Sequence, residues 1–337
     1  MKKPGYTVKK GIFILSIMIA LILIISVISI NVGKMNLSPK EVLDVILGNG
    51  TKNQKLIIYE FRLPRIILAI LVGIGMGASG CIMQSLLRND MASPGTLGIS
   101  SGSGLFVLVY VVALGSKSYS SAIIMPVLAF LGGLTAALLI FLLSYKKGKD
   151  LSPTNLILNG VALGSGYGAI SIMLTLKLDD RQMDFVQQWN AGNLWGDKWQ
   201  YLSILIPWTL IIFIYVFRKS HKLNILNLGN QTATGLGVAT KKEFLGLAIA
   251  AVALSSGSVA LGGNFFFVGM ISPHMAKKLV GSNHKLLLPA ASLAGSIIIL
   301  LADTITRTIS FGADIPTGII ITVLSTPYFL YLLANEN

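Results

Sequence analysis

The sequence predicts an all-α polytopic membrane protein, and three observations carry that prediction. Apolar runs near 20 residues recur from end to end, and about 20 is what a helix needs to cross a bilayer. Only 12% of the 337 residues are charged while 53% are hydrophobic; an ordinary soluble domain is about a quarter charged. The third is the run from Lys241 to Lys278. The pairs Lys241/Lys242 and Lys277/Lys278 enclose residues 244–276, which contain no Asp, Glu, Lys or Arg. Basic residues mark the cytoplasmic side, so two basic ends require two crossings. The length is too small for two full helices, so one must be short or broken. Ser255, Ser256, Gly257, Gly262, Gly263 and Asn264 mark the expected break. Irregular backbone at that depth survives only when it is buried in protein or lines a polar cavity.

Ten transmembrane segments are expected: 11–31, 62–84, 93–114, 121–144, 152–176, 200–217, 242–260, 262–276, 286–306 and 315–334. The first exceeds the apolar core of a signal peptide and has no clear small-residue cleavage site after it, so it reads as a retained helix. Pro94 opens the third, a position that proline tolerates; the eighth is short. An even number places both termini on one side. With the N-terminus inside, 16 Lys/Arg lie inside and 11 outside, while nine of the 13 acids lie outside. The Lys/Arg bias favours both termini inside, and this sidedness accounts for the +14 net charge without invoking nucleic acid. Residues 1–337 read as one transmembrane domain, with an outer loop at 31–61 and an inside loop at 218–242.

Between the segments, Ser38-Pro39-Lys40-Glu41 reads as a helix start, with serine as cap and proline in the first turn. Trp189, Trp195 and Trp199 read as interfacial anchors. Leu223, Leu226, Leu228 and Leu236 are too apolar for a free linker and too few for a span. They predict short helices seated on a cytoplasmic partner or folded onto the bilayer surface.

Several chemistries find no support. Gly75, Gly77 and Gly80 match GxGxxG, but they lie inside an apolar helix rather than between a strand and a helix. With Gly73 they suit close helix contact. Gly160, Gly164 and Gly168 give the fifth segment a smooth face, for packing or for a channel. Cys81 is the only cysteine and reads as a packing residue. His221, His274 and His284 lack metal-ligand spacing, so no metal site is expected. No GxxxxGK[ST] occurs, so the chain binds no ATP through a P-loop. Intramembrane charges, the usual markers of ion coupling, are nearly absent; Asp303 is the main one, and Arg307 stands four residues on, where it can pair with it. A transporter without coupling charges or a nucleotide site draws its energy from a separate ATPase. Arg62, Arg65 and Arg307 fall at outer helix ends, suited to carboxylate recognition or to snorkelling.

These motifs resemble the FecCD-type permeases of ABC importers for ferric siderophores, haem and vitamin B12. The resemblance covers nearly the whole chain, through FRLPRI at 61–66, GASGCIMQSLLRNDMASPGTLGISSGSG at 77–104, LILNGVALG at 156–164 and LNILNLGNQTATGLGV at 223–238. It continues in GNFFFVGMISPHMAKKLVGSNHKLLLP at 263–289, ADTITR at 302–307 and DIPTGIIITVLSTPYFLYLL at 314–333.

The resemblance implies a bacterial cytoplasmic-membrane complex. It would hold a second permease subunit (a copy or a paralogue), two cytoplasmic ATPases that bind ATP and Mg, and an extracytoplasmic binding protein. Lipid surrounds it, and this chain would bind no cofactor of its own. Arg62, Arg65 and Arg307 would receive carboxylates of the binding protein. Asn89 and Met91 would form one cytoplasmic gate, and Pro153 and Thr154 the other. The fifth helix, with Gly160, Gly164 and Gly168, would line the path. Leu223, Leu226, Leu228, Gly229, Ala233, Leu236 and Gly237 would belong to the ATPase-coupling helices. The expected cargo is a ferric siderophore, with haem or cobalamin as the alternative and an ion-coupled secondary transporter as the rival mechanism. The chain departs from the family pattern at four places. Asp90 replaces a proline, which predicts a looser gate turn. Asn230 replaces an acid, Lys277 an arginine and Asp314 a glutamate.

Overall fold

The computed structural model describes residues 8–33, 37–114, 124–145, 152–195, 197–308 and 315–335; Asp314 lies outside them. Helix α1 is Val8–Asn31, and the 31–61 connection holds α2 (Pro39–Ile46), α3 (Lys52–Leu56) and a π-helical turn, Ile57–Arg62. Then follow α4 (Leu63–Leu87), α5 (Ile99–Leu114), α6 (Ile124–Ser144), α7 (Pro153–Thr175), α8 (Asp180–Asn190) and α9 (Trp199–Arg218). Two short helices, α10 (Ser220–Leu226) and α11 (Asn230–Gly235), precede α12 (Thr240–Gly262), α13 (Val268–Val280), α14 (His284–Thr308) and α15 (Thr317–Asn335). Among the described residues seven helical stretches are long and apolar enough to cross a membrane, with shorter apolar stretches at Ile99–Ala113 in α5 and Thr317–Tyr331 in α15. Helix α13 has 13 residues, about 20 Å at 1.5 Å per residue, short of the ~30 Å hydrocarbon core. The ten expected segments thus each meet a helix, and among the described residues seven are long and apolar enough to span.

Helix α4 is the axis of the bundle. In the most apolar 18 residues of each, 83% of residues are buried for the stretch ending in α4, 72% for α12 and α14, and only 11% for α7. Small residues make this density possible. A Cβ on Gly80 would stand 1.7 Å from the Gly269 carbonyl oxygen of α13, and one on Gly73 would meet the Gly295–Ser296 backbone of α14. The GxGxxG run is therefore a helix-contact surface. Hydroxyls add ties across it: Ser79 donates to the Ala251 carbonyl at 2.6 Å and Ser296 to that of Ile70 at 2.9 Å, where packing and hydrogen bonds replace the hydrophobic effect as glue. Cys81 is buried in this core.

Caps set several boundaries. Ser38 accepts from the Glu41 amide while Glu41 accepts from the Ser38 amide at 2.7 Å, with Pro39 in the first turn, as the sequence predicts. That backbone hydrogen bond from Ser38, with the hydroxyl's, holds the Glu41 carboxyl below the usual range. Leu37, Val42, Val45 and Ile58 close a small apolar cluster under this cap.

Two expectations are corrected. Helix α12 runs unbroken through Ser255, Ser256 and Gly257, all buried against neighbouring helices, so only the second part of the expected break holds: the helix ends at Gly262, and Gly263 follows with a φ of +73° that favours glycine. Among the tryptophans, Trp189 is 4% exposed and so is a core residue; Trp199 stays at the surface and donates to the Tyr59 carbonyl at 2.9 Å.

Candidate functional site

At one end of the bundle, that of Arg65, the three expected docking arginines converge on α4, α14 and the end of α1. Asp303, fully buried on α14, is the hub. One of its oxygens accepts from Arg65 Nε at 3.0 Å and lies 2.9 Å from Nη2; the other accepts from Arg307 Nε at 3.0 Å. Thr317 Oγ1 completes the shell at 3.3 Å. Arg65 also reaches Asp197 at 3.4 Å and the Leu194 carbonyl at 3.2 Å. Arg307 donates to the Ser29 hydroxyl, and Arg62 to the Ile30 carbonyl. A carboxylate with no water contact is tolerated only when paired and hydrogen-bonded, and here two guanidinium groups do both. Arg62 is 6% exposed, whereas the side chains of Arg65 and Arg307 keep 21% and 18%. The last two thus combine an internal ion pair with an edge open to a partner.

At the opposite end, α4 stops at Arg88, the one non-glycine residue with positive φ (+50°) among those described. The next turn is held from within and from across the bundle. Asn89 Oδ1 accepts from the Met91 amide at 2.8 Å, and Lys277 Nζ reaches the Asp90 carboxylate at 2.7 and 2.9 Å. Where the lost proline is expected to loosen the turn, two of the departures from the family pattern meet as an ion pair. Pro153 shares a crevice of about 120 Å³ with Arg88, so both expected gate turns lie at this end. Ser152 caps α7, with Pro153 in its first turn.

The loop between α9 and α12 sorts the expected coupling residues into two sets. Leu223, Leu226 and Ala233 are buried against the chain's own core, whereas Leu228 and Leu236 are 64% and 60% exposed. Gly229 and Gly237, with φ of +106° and +77°, make the corners. The loop is tethered twice. Lys219 pairs with Glu243, a hydrogen bond that raises the lysine pKa. Asn224 Oδ1 accepts from the His284 backbone at 2.9 Å and contacts His284 Nδ1 at 2.7 Å, while His284 Nε2 meets Ser85 Oγ on α4. Sequence reading dismissed His284 because it sought metal spacing; nothing in one sequence links residues 60 positions apart.

Between the two ends lies a cavity of about 280 Å³ walled by α5, α7 and α8, with Ser100, Ser101, Ser171, Thr175, Asn190 and Asn264 as its polar residues. It adjoins a cleft of about 290 Å³ along α15, with which it shares Asn190 and Asn264. Among the described residues no charged side chain lines either. Among the described residues Ser100 Oγ, Trp189 Nε1 and Asn264 Oδ1 are buried in these walls without a partner, an arrangement costly in a closed core and natural beside a cavity with polar walls. Of the α7 glycines, Gly168 lines the cavity, with open space where its side chain would be. Gly160 and Gly164 instead pack on Leu97 and Gly98 at 2.9–3.1 Å from a notional Cβ.

An all-helical membrane bundle with an internal cavity between two ion-paired ends is the architecture of a membrane permease. Residues 21–335 match the FecCD transport family, and the chain belongs to it. It is 39% identical, over 97% of its length and 98% of the relative's, to the iron(3+)-hydroxamate import system permease protein FhuG of Bacillus subtilis. Identity is 38%, over 100% of the chain and 99% of the relative, to the Fe(3+)-citrate import system permease protein YfmE of the same organism. A solved chain described as an inward-facing ABC transporter of metal-chelate type superposes with a TM-score of 0.83 at 29% identity, covering 95% of this chain and 98% of that one. The protein is a permease of an ABC importer for iron chelates.

Proposed function

We propose that this chain carries a ferric siderophore, of the neutral hydroxamate class, across the bacterial cytoplasmic membrane, with both termini cytoplasmic. The observation that carries this reading is the uncharged, hydrogen-bonding lining at Asn190 and Asn264. It offers no anionic ligand to a bare Fe³⁺ ion, and it suits a chelate whose ligands have already cancelled the metal's charge. The similarity to a hydroxamate permease agrees with it.

In this reading the exposed face of α7, with Leu158, Val161, Ile172 and Met173 open, meets a second permease subunit, so that the clefts of two subunits face each other. Carboxylates of an external binding protein dock at the exposed edges of Arg65 and Arg307, while Arg62 fixes the rim through α1. Two ATPases seat on the outward Leu228 and Leu236. Their closure on ATP moves α10 and α11, and His284 passes the motion to α14 and α4, and so to the turns at Asn89–Met91 and Pro153–Thr154.

Uptake of radiolabelled ferric hydroxamate, ferric citrate and haemin in a strain lacking this chain tests the cargo. Loss of hydroxamate uptake alone, restored by the gene, supports the reading; loss of haemin uptake with hydroxamate uptake intact overturns it.

A further inference from the structure

A second cavity, of about 240 Å³, lies between α4, α6 and α12, and every residue lining it is apolar; Leu138, Leu245 and Ile249 are among them. These three are 55%, 45% and 44% exposed, so the cavity opens to the outside of the bundle. It opens on the α6 and α12 surfaces rather than on the bare face of α7. Toward the Lys277 end it runs into the 120 Å³ crevice, since Leu86, Phe141, Leu156, Phe244 and Leu245 line both. There the lining changes character: Arg88, Lys241, Tyr145, Asn230 and Thr240 replace aliphatic side chains.

Among the described residues Arg88 and Lys241 have no carboxylate partner, whereas the nearby Lys219 and Lys277 each have one. The Arg88 backbone is left-handed, and Gly229 clears its guanidinium, since a Cβ there would stand 3.2 Å from Nη1. An apolar trough ending in two unpaired cations and several hydrogen-bonding groups is complementary to one kind of molecule that a membrane supplies. We infer that this crevice binds an anionic phospholipid, its acyl chain in the α4–α6–α12 trough and its phosphate between Arg88 and Lys241. Basic pockets between helices at a membrane face take phosphate headgroups in this way, and bidentate arginine suits phosphate geometry. The site does not depend on which chelate the protein carries.

The test uses the whole transporter complex, purified through this chain and placed in nanodiscs of phosphatidylcholine. To these is added a trace of photoactivatable phosphatidylglycerol or of photoactivatable phosphatidylcholine with the same chains. Peptide mapping after illumination reads the site. Phosphatidylglycerol is expected to label α6 and α12 around Leu138 and Ile249 at least fivefold more than phosphatidylcholine. Arg88→Gln with Lys241→Gln should abolish that excess and leave phosphatidylcholine labelling unchanged. Both side chains are exposed and unpaired, so the variant is expected to fold; an unchanged thermal transition confirms it, and the single variants Arg88→Lys and Lys241→Arg should keep the excess. Equal labelling by the two lipids, an excess that survives the double variant, or no labelling of this crevice in the complex overturns the inference.

Discussion

Asp90 and Lys277 are 187 residues apart in sequence, and their side chains meet at 2.7 Å across the end of the bundle where α4 and α13 stop. The pair is 37% exposed on each side, so its worth in stability is small, roughly 0.2–1 kcal/mol. Its value is positional, because it holds the turn that carries Asn89 and Met91. Asp90→Lys and Lys277→Asp alone should each lower chelate uptake severalfold, with a thermal midpoint within a few degrees of the parent. The swapped double variant should recover uptake; failure to recover would leave the pair no role at the turn.

Asp303 makes a different prediction, because its carboxylate is wholly buried. Removing one partner of a buried pair costs on the order of 3–5 kcal/mol; with Arg307 remaining, Arg65→Ala should fall near the lower end and reduce the amount of folded protein. Arg65→Gln leaves Asp303 paired with Arg307 and should unfold at a higher temperature in detergent than Asp303→Asn, which strands both guanidinium groups. Loss of binding-protein capture by the folded Arg65→Gln variant would assign Arg65 to docking as well as to structure. Full capture would confine it to structure.

How much of this was readable beforehand follows the range of each interaction. The Asp303–Arg307 pair and the Ser38–Glu41 cap are set by local helix geometry, and both were legible from spacing. The apolar runs likewise placed every long helix. The Arg65–Asp303 and Asp90–Lys277 pairs join distant segments, so spacing says nothing of them. The second did leave a trace, as two departures of opposite charge from one family pattern. The inward Leu223 and the outward Leu228 have the same side chain, and only packing tells them apart. Gly160 and Gly168 differ in the same way: one touches Leu97 and the other faces open space.

His284 ties α10 to α14 and α4 through Asn224 and Ser85. Asn224→Ala should leave the complex assembled and hydrolysing ATP while transport falls, since the loop would move without carrying α14. The readout is the ratio of ATP hydrolysed to chelate delivered in proteoliposomes, expected to rise severalfold. A parallel fall in both rates would mean that the contact serves assembly instead.

Glycines on different faces should respond in opposite ways. Gly80→Ala drives a methyl group into the Gly269 carbonyl and should cost roughly 1–3 kcal/mol or more as overpacking. Gly166→Ala meets nothing within 4 Å and should be neutral or gain about 0.5–1 kcal/mol from helix propensity. Gly168→Phe should fold normally, fill the polar cavity and stop uptake; thermal unfolding and uptake measured on the same preparations separate the three.

The central claim is that this chain is a conduit whose driving force arises in another subunit. The direct measurement is accumulation of labelled ferric hydroxamate in proteoliposomes, holding either the chain alone under an imposed proton or sodium gradient or the full complex with binding protein and ATP. The account predicts accumulation only in the second case, abolished when ATP is omitted. Accumulation by the chain alone on an ion gradient would contradict it.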